Sequence, residues 1–114
     1  MSVRPFYKAD GCAILNVDGF STRAVTQESI GLIVTSPLYN LDIAYGSHDD
    51  GQSYERYLDF SRRWLARCHA RLKRDGRMCL NIPLEKNKDE QQSLGADLTT
   101  ITKEIGFKYH STIV

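Results

Sequence analysis

Four consecutive residues, Ser36-Pro37-Leu38-Tyr39, carry the types that an amine-binding site needs. They follow Ile30-Gly-Leu-Ile-Val34, an apolar run too short for a typical helix. Such a run reads as a buried strand of the parallel type. Proline donates no ladder hydrogen bond, so the strand stops at Ser36-Pro37. In α/β sheets ligands gather at the carboxyl ends of strands, which is where these residues fall. Pro37 stiffens the turn and offers its carbonyl as an acceptor. Ser36 offers a second oxygen, and Tyr39 a flat face. Two acceptors and one ring suit a planar amine: the oxygens take the amino hydrogens and the ring stacks. The same four residues also make an ordinary strand-ending turn with a packed tyrosine.

The elements that must position them can be read from periodicity. Cys12-Ala-Ile-Leu-Asn-Val17 reads as a first strand, ended by Asp18-Gly19. Residues 20–29 are mixed and hold at most a short, poor helix. Leu38 to Gln52 reads as a long loop, and loops of that length in compact domains are usually functional. Ser53 is a good N-cap with Glu55 in the first turn, and it opens a helix over 53–73. Tyr54, Tyr57, Leu58, Ser61, Trp64, Leu65, Cys68 and Leu72 step by three and four along one face of it. Arg62, Arg63, Arg67, Arg71 and Lys73 lie largely off that face, as a solvated surface or a phosphate-binding one. Gly76 punctuates the end. Arg77-Met-Cys-Leu-Asn-Ile82 reads as a further buried strand closed by Pro83. Leu94, Leu98, Ile101 and Ile105 predict a second helix over 90–105, stopped by Gly106. Residues 108–114 alternate enough to be a last strand. The order predicts an α/β fold with a mostly parallel sheet of about four strands, near 12–17, 30–35, 77–82 and 108–114.

Composition narrows the classes. The chain has 114 residues, one domain's worth or less. Its net charge of +1 excludes a polybasic protein that binds through bulk charge, though not a nucleic-acid enzyme with a local basic face. No apolar run approaches the roughly 20 residues of a membrane span, and the start is not a secretory signal. Cys12, Cys68 and Cys79 are odd in number and widely spaced, without a CxxC. They read as buried, reduced thiols of a cytoplasmic protein rather than as disulfides or a zinc site. His48 lies beside Asp49 and Asp50, but no second histidine stands at ligand spacing, so no metal is expected.

The wider context of the serine motif is specific. Ile30-Gly-Leu-Ile-Val-Thr-Ser-Pro-Leu-Tyr-Asn40 resembles the catalytic motif of the DNA amino-methyltransferases, usually (I/V)DLI(V/I)TSPPYN. Ser53-Tyr-Glu-Arg-Tyr-Leu-Asp-Phe60 is similar to that family's SYEEYL helix opening. Arg71-Leu-Lys-Arg-Asp-Gly-Arg-Met-Cys-Leu-Asn-Ile-Pro83 is similar to its LKPGGR turn and a strand ending in NIP. Gly106-Phe107 and Ser111-Thr-Ile-Val114 look like its next strand. The resemblance spans roughly residues 14–114, in the family's order.

The resemblance implies a partial S-adenosylmethionine-dependent methyltransferase fold, Rossmann-like, over 1–114. It implies methylation of the exocyclic amine of cytosine (N4) or adenine (N6) in double-stranded DNA, in a restriction-modification setting. By position, Ser36 and the carbonyl of Pro37 accept hydrogen bonds from the amine, and Tyr39 stacks on a flipped base. Leu38 and Asn40 border that base, while Asp18 and Thr35 contact S-adenosylmethionine. There are departures. Leu38 replaces the second proline, Gly31 the usual aspartate, and Val17 the glycine often found before Asp18. None of the eight glycines forms the family's FxGxG cofactor loop, and its target-recognition region is missing. The expectation is therefore an amino-terminal piece of a catalytic domain, weak or inactive alone, that self-associates or pairs with a complementing half. The other expectation is a non-catalytic α/β interaction domain derived from such an enzyme.

Overall fold

The structure is a computed structural model that describes residues 4–19, 22–37, 44–45, 48–49, 53–83 and 93–114. Its strands are β1 (Tyr7–Ala9), β2 (Cys12–Ile14), β3 (Ile30–Thr35), β4 (Ala44–Tyr45), β5 (His48–Asp49) and β6 (Leu72–Leu80). Its helices are α1 (Tyr54–Arg71) and α2 (Leu94–Ile105). The element type is the expected α/β, with β3 and β6 paired in parallel across the α1 crossover.

Helix α1 begins where its cap predicts. The Ser53 hydroxyl accepts from the Arg56 amide at 3.3 Å, and Glu55 sits in the positive first turn. Tyr57, Ser61, Trp64 and Leu65 are buried along one face. In α2, Leu94, Leu98 and Ile101 are buried and Gly106 closes the helix at φ 128°, a left-handed-side value that favours glycine. These two apolar stripes meet each other and one face of β6, through Met78 and Leu80, continued by Ile82 just beyond the strand. Tyr54 joins the helices a second time, its hydroxyl donating to the Asp97 carboxylate.

The crossover from α1 into β6 is tight. Leu72 pairs with Ile30, whereas the next pair is Leu32 with Arg77, so Lys73–Gly76 bulge opposite Gly31. A Cβ on Gly76 would meet the Ile30 carbonyl at 2.9 Å and the Lys73 carbonyl at 3.0 Å. Both obstacles are backbone, so only glycine fits the turn. From Leu32 to Thr35 the register then runs in step with Arg77 to Leu80.

Several expectations are corrected. The sheet of about four parallel strands is two-stranded among the described residues. The segment read as a strand over 12–17 instead folds back on Tyr7–Ala9 in an antiparallel hairpin. Asp10 and Gly11, at φ 51° and 78°, form its two-residue turn. Paired positive φ with Asp-Gly is the preferred hairpin geometry, and it captures the strand locally. Residues 22–29 are turns and bends rather than a helix, and residues 108–114 form no strand. Alternation gave that tail the pattern of a strand, but a strand also needs a neighbour to bond to. The loop read over 38–52 contains the short antiparallel pair β4–β5; its other residues lie outside the described ones.

Among the described residues the sheet is covered on one side only. Leu32 and Val34 are 58% and 71% exposed, with Arg77 and Cys79 exposed beside them. The fully buried strand expected at 30–34 is therefore half-buried. The same geometry corrects the cysteines: all three are free thiols, but Cys12 and Cys79 are exposed and Cys68 is half-buried. Among the described residues no helix is long and apolar enough to cross a membrane.

Two stability predictions follow from this core. The Ser61 hydroxyl is fully buried and has no hydrogen-bond partner among the described residues. Ser61→Ala removes an unsatisfied group and should stabilise the chain by about 1 kcal/mol in urea unfolding. Leu65→Ala, at a site with no exposure, should destabilise it by about 3 kcal/mol. A stability loss in Ser61→Ala would contradict the burial described.

Alkaline pH tests the helix pair. Burial, then the hydrogen bond to Asp97 and the negative charge of that carboxylate, raise the Tyr54 pKa above its ordinary value. The folded state thus holds this proton where the unfolded chain releases it. The contribution is intact below about pH 10 and is lost as pH rises beyond it. Urea midpoints of the wild type should fall above that pH more steeply than those of Tyr54→Phe. Parallel curves would refute the coupling.

Candidate active site

The carboxyl ends of β3 and β6 meet because their register is in step. Thr35 lies opposite Leu80, so Ser36 comes beside Asn81. The Asn81 amide donates to the Thr35 carbonyl at 3.0 Å, which extends the ladder one step beyond the strands. The Ser36 hydroxyl donates to the Asn81 carbonyl at 3.3 Å, and the Asn81 side-chain Nδ2 approaches the Ser36 Oγ at 3.5 Å. Ser36 and Asn81 are exposed, whereas Thr35 and Pro37 are half-buried. The edge is thus built of backbone and hydroxyl acceptors that solvent, and hence a ligand, can reach.

Of the residues singled out in sequence, Thr35, Ser36 and Pro37 are consecutive at this edge. Leu38, Tyr39 and Asn40 lie outside the described residues. Asp18 is placed elsewhere. Its carbonyl accepts from the Thr22 amide at 3.0 Å, which closes a turn. Arg71 grips that turn, donating from Nη1 to the Gly19 carbonyl at 2.6 Å and from Nη2 to the Thr22 carbonyl at 2.5 Å. Two more bonds dock the following segment on the same helix end: Glu28 N to Ala70 O at 3.0 Å and Ser29 N to Arg71 O at 2.9 Å. They satisfy carbonyls that a helix leaves orphaned at its last turn.

The Asp18 turn therefore rests at the carboxyl end of α1, which is the amino end of β3. Ser36 leaves the other end, one strand length of about 20 Å away. The structure does not bring Asp18 and Thr35 into one cradle, so the described residues do not fit S-adenosylmethionine as a pair.

Asn81 was not among the site residues expected from sequence. A signal for it was present: two apolar runs each end in a polar residue shortly before a proline, Ser36-Pro37 and Asn81-Ile-Pro83. In-register parallel strands place such endings side by side.

A family profile described as DNA methylase matches residues 30–114. The Type II methyltransferase M.MjaVI of Methanocaldococcus jannaschii is 46% identical over 112 residues, covering 98% of this chain and 57% of that protein. The Type II methyltransferase M.HpaI of Haemophilus parainfluenzae is 46% identical over 50 residues, 44% of this chain and 16% of that protein. The chain thus spans little more than half of the longer of these matches. No solved structure matches.

The Arg71 grip is open to direct measurement. Arg71→Ala should speed amide exchange at Thr22, Glu28 and Ser29 by about tenfold, the loss of one to two charged hydrogen bonds. Arg71→Lys should restore little, because an ammonium lacks the fork that reaches two carbonyls at once. Unchanged exchange in both variants would show that the backbone bonds alone hold the segment.

Proposed function

Because the chain belongs to the DNA methylase family, we propose that it contributes the amine-binding edge of a DNA amino-methyltransferase of the restriction-modification type. The target is the exocyclic amine of cytosine (N4) or adenine (N6) in double-stranded DNA. The observation that carries this reading is the accessible Thr35-Ser36-Pro37 edge at the carboxyl end of a parallel pair, inside the segment that the family profile matches.

The chemistry suits those residues. An amine on an aromatic base is a poor nucleophile, because its lone pair is delocalised into the ring. Ser36 Oγ and the Pro37 carbonyl accept its two hydrogens and draw the nitrogen toward tetrahedral geometry. They also bear the positive charge that develops as the nitrogen gains a methyl group, so the contacts strengthen in the transition state. Tyr39 supplies the stacking face for the extruded base. S-adenosylmethionine is the methyl source implied by the family, and it would supply an electrophilic methyl group. The nitrogen then loses a proton to solvent.

Within this reading the 114 residues are one partial catalytic domain. The uncovered face of the β3–β6 pair receives a second copy or a complementing polypeptide. The other reading, a non-catalytic interaction domain, keeps the partner and omits the transfer.

The test uses S-adenosylmethionine labelled in the methyl group, DNA, and the chain alone or mixed with the part of M.MjaVI that it does not match. Alone, the chain should show no binding of S-adenosylmethionine at about tens of micromolar by calorimetry. A dissociation constant of about 1 μM, near −8 kcal/mol, would refute that. The mixture should place label on one class of base amine, which nucleoside analysis identifies. Ser36→Ala and Tyr39→Ala should each lower transfer by about a hundredfold or more. Full rates in both would remove the site assignment. Tight association without any transfer would favour the interaction domain.

A further inference from the structure

We propose that Asn81 is a positioning residue that holds the Ser36 hydroxyl in its acceptor orientation toward the base amine. The inference rests on the amine-binding role of Ser36 given above and adds a specific device to it.

A serine hydroxyl is a rotor that can donate one proton and accept at two lone pairs. At an amine-methylating site these two faces have opposite effects. As an acceptor it takes an N–H and supports the growing positive charge. As a donor it would hydrogen-bond the nitrogen lone pair, the pair that must attack the methyl carbon. A freely turning hydroxyl would sample both arrangements.

Asn81 fixes the choice by two contacts. Its main-chain carbonyl takes the Ser36 proton at 3.3 Å. Its side-chain Nδ2 lies at 3.5 Å from the same oxygen, on the donor side. With its own proton committed to a carbonyl, Ser36 meets an amine N–H only as an acceptor. The amide at 3.5 Å is a long contact that orients the oxygen while drawing little on its acceptor strength. The carbonyl is itself anchored, because the Asn81 N–H donates to Thr35 at 3.0 Å across the ladder. The loop of contacts thus runs from Thr35 to Asn81 and back to Ser36, one step beyond the ends of two paired strands. Sites on such elements hold their geometry better than sites on loops.

The side-chain part of the device separates cleanly from a spacer role. Asn81→Asp keeps the shape but has no N–H at neutral pH, and its carboxylate competes for the Ser36 proton. Asn81→Ala removes the group, and Asn81→Gln returns the amide on a longer stem. The 15N-labelled full chain is titrated at pH 7 with deoxycytidine and deoxyadenosine, and with their amine-free counterparts deoxyuridine and deoxyinosine. The readout is the ratio of affinities, with spectral dispersion as the check on folding. The wild type should prefer one amine-bearing nucleoside over its counterpart. The preference should fall about fivefold to tenfold in Asn81→Ala and at least as far in Asn81→Asp. It should recover in part in Asn81→Gln, and it should vanish in Ser36→Ala. A wild-type preference in both Asn81→Ala and Asn81→Asp, with loss in Ser36→Ala, would overturn the role of Asn81 and leave the amine site standing. No preference in the wild type itself would overturn both.

Discussion

The parallel register between β3 and β6 is the constraint on which the rest depends. Ser36 and Asn81 are 45 positions apart in the chain, and nothing local holds them together. They meet because Leu32 to Thr35 run in step with Arg77 to Leu80. That step is set at the other end of the pair, where the chain leaves α1 and must turn within a few residues. Gly76 permits the turn by letting the Ile30 carbonyl approach to a distance at which no side chain would fit. A slip of one residue would invert every side chain on β6. Met78 and Leu80 would leave the helical core, and the edge at Ser36 would lose its partner. Packing and chemistry are thus tied to one register.

Among the described residues the helical layer secures one face of this pair and leaves the other bare. Parallel sheets are usually covered on both sides, because their strands read as continuous apolar runs. Here Leu32 and Val34 point away from the helices and remain mostly exposed. Covering two such side chains is worth about 1.5–3 kcal/mol each. That sum is a substantial fraction of the total stability of a small domain.

The sequence made some levels of this structure legible and others not. Both helices were readable because their apolar steps of three and four, the Ser53 cap and the Gly106 stop all agreed. The β3 strand and its end at Ser36-Pro37 were readable for the same reason: run length and breaker coincided. The Cys12 segment was misplaced because apolar content says strand without saying whose neighbour. The Asp10-Gly11 turn, which decides that question, lies immediately upstream of the run. The exposure of Cys79 and Val34 was hidden because a run of alternating partial burial is indistinguishable from full burial when both faces are apolar. The cofactor contact of Asp18 is implied only by the family resemblance, whereas its turn is held by Arg71, 53 residues later, through the Gly19 and Thr22 carbonyls. Asn81 stands in the sequence as part of a strand ending, but its contact with Ser36 follows only from the register.

The departures from the family pattern can be ranked by what they touch. Gly31 stands where an aspartate is usual, opposite the bulge at Lys73–Gly76. A Cβ there would meet nothing within 4 Å, so no steric demand calls for glycine. Its effect is confined to backbone freedom at the amino end of β3, which costs a strand about 0.5–1 kcal/mol. The change to Leu38 follows, in sequence, the two groups proposed to contact the amine. Ser36 keeps its oxygen and Pro37 its carbonyl, and the ladder from Thr35 to Asn81 fixes the chain up to Ser36 without help from a second proline. The ring that is lost would have stiffened the residues after the acceptors. Under the proposed reading the substitution would therefore act on how firmly the base is stacked rather than on how its amine is held, and would separate binding of the base from activation of its nitrogen.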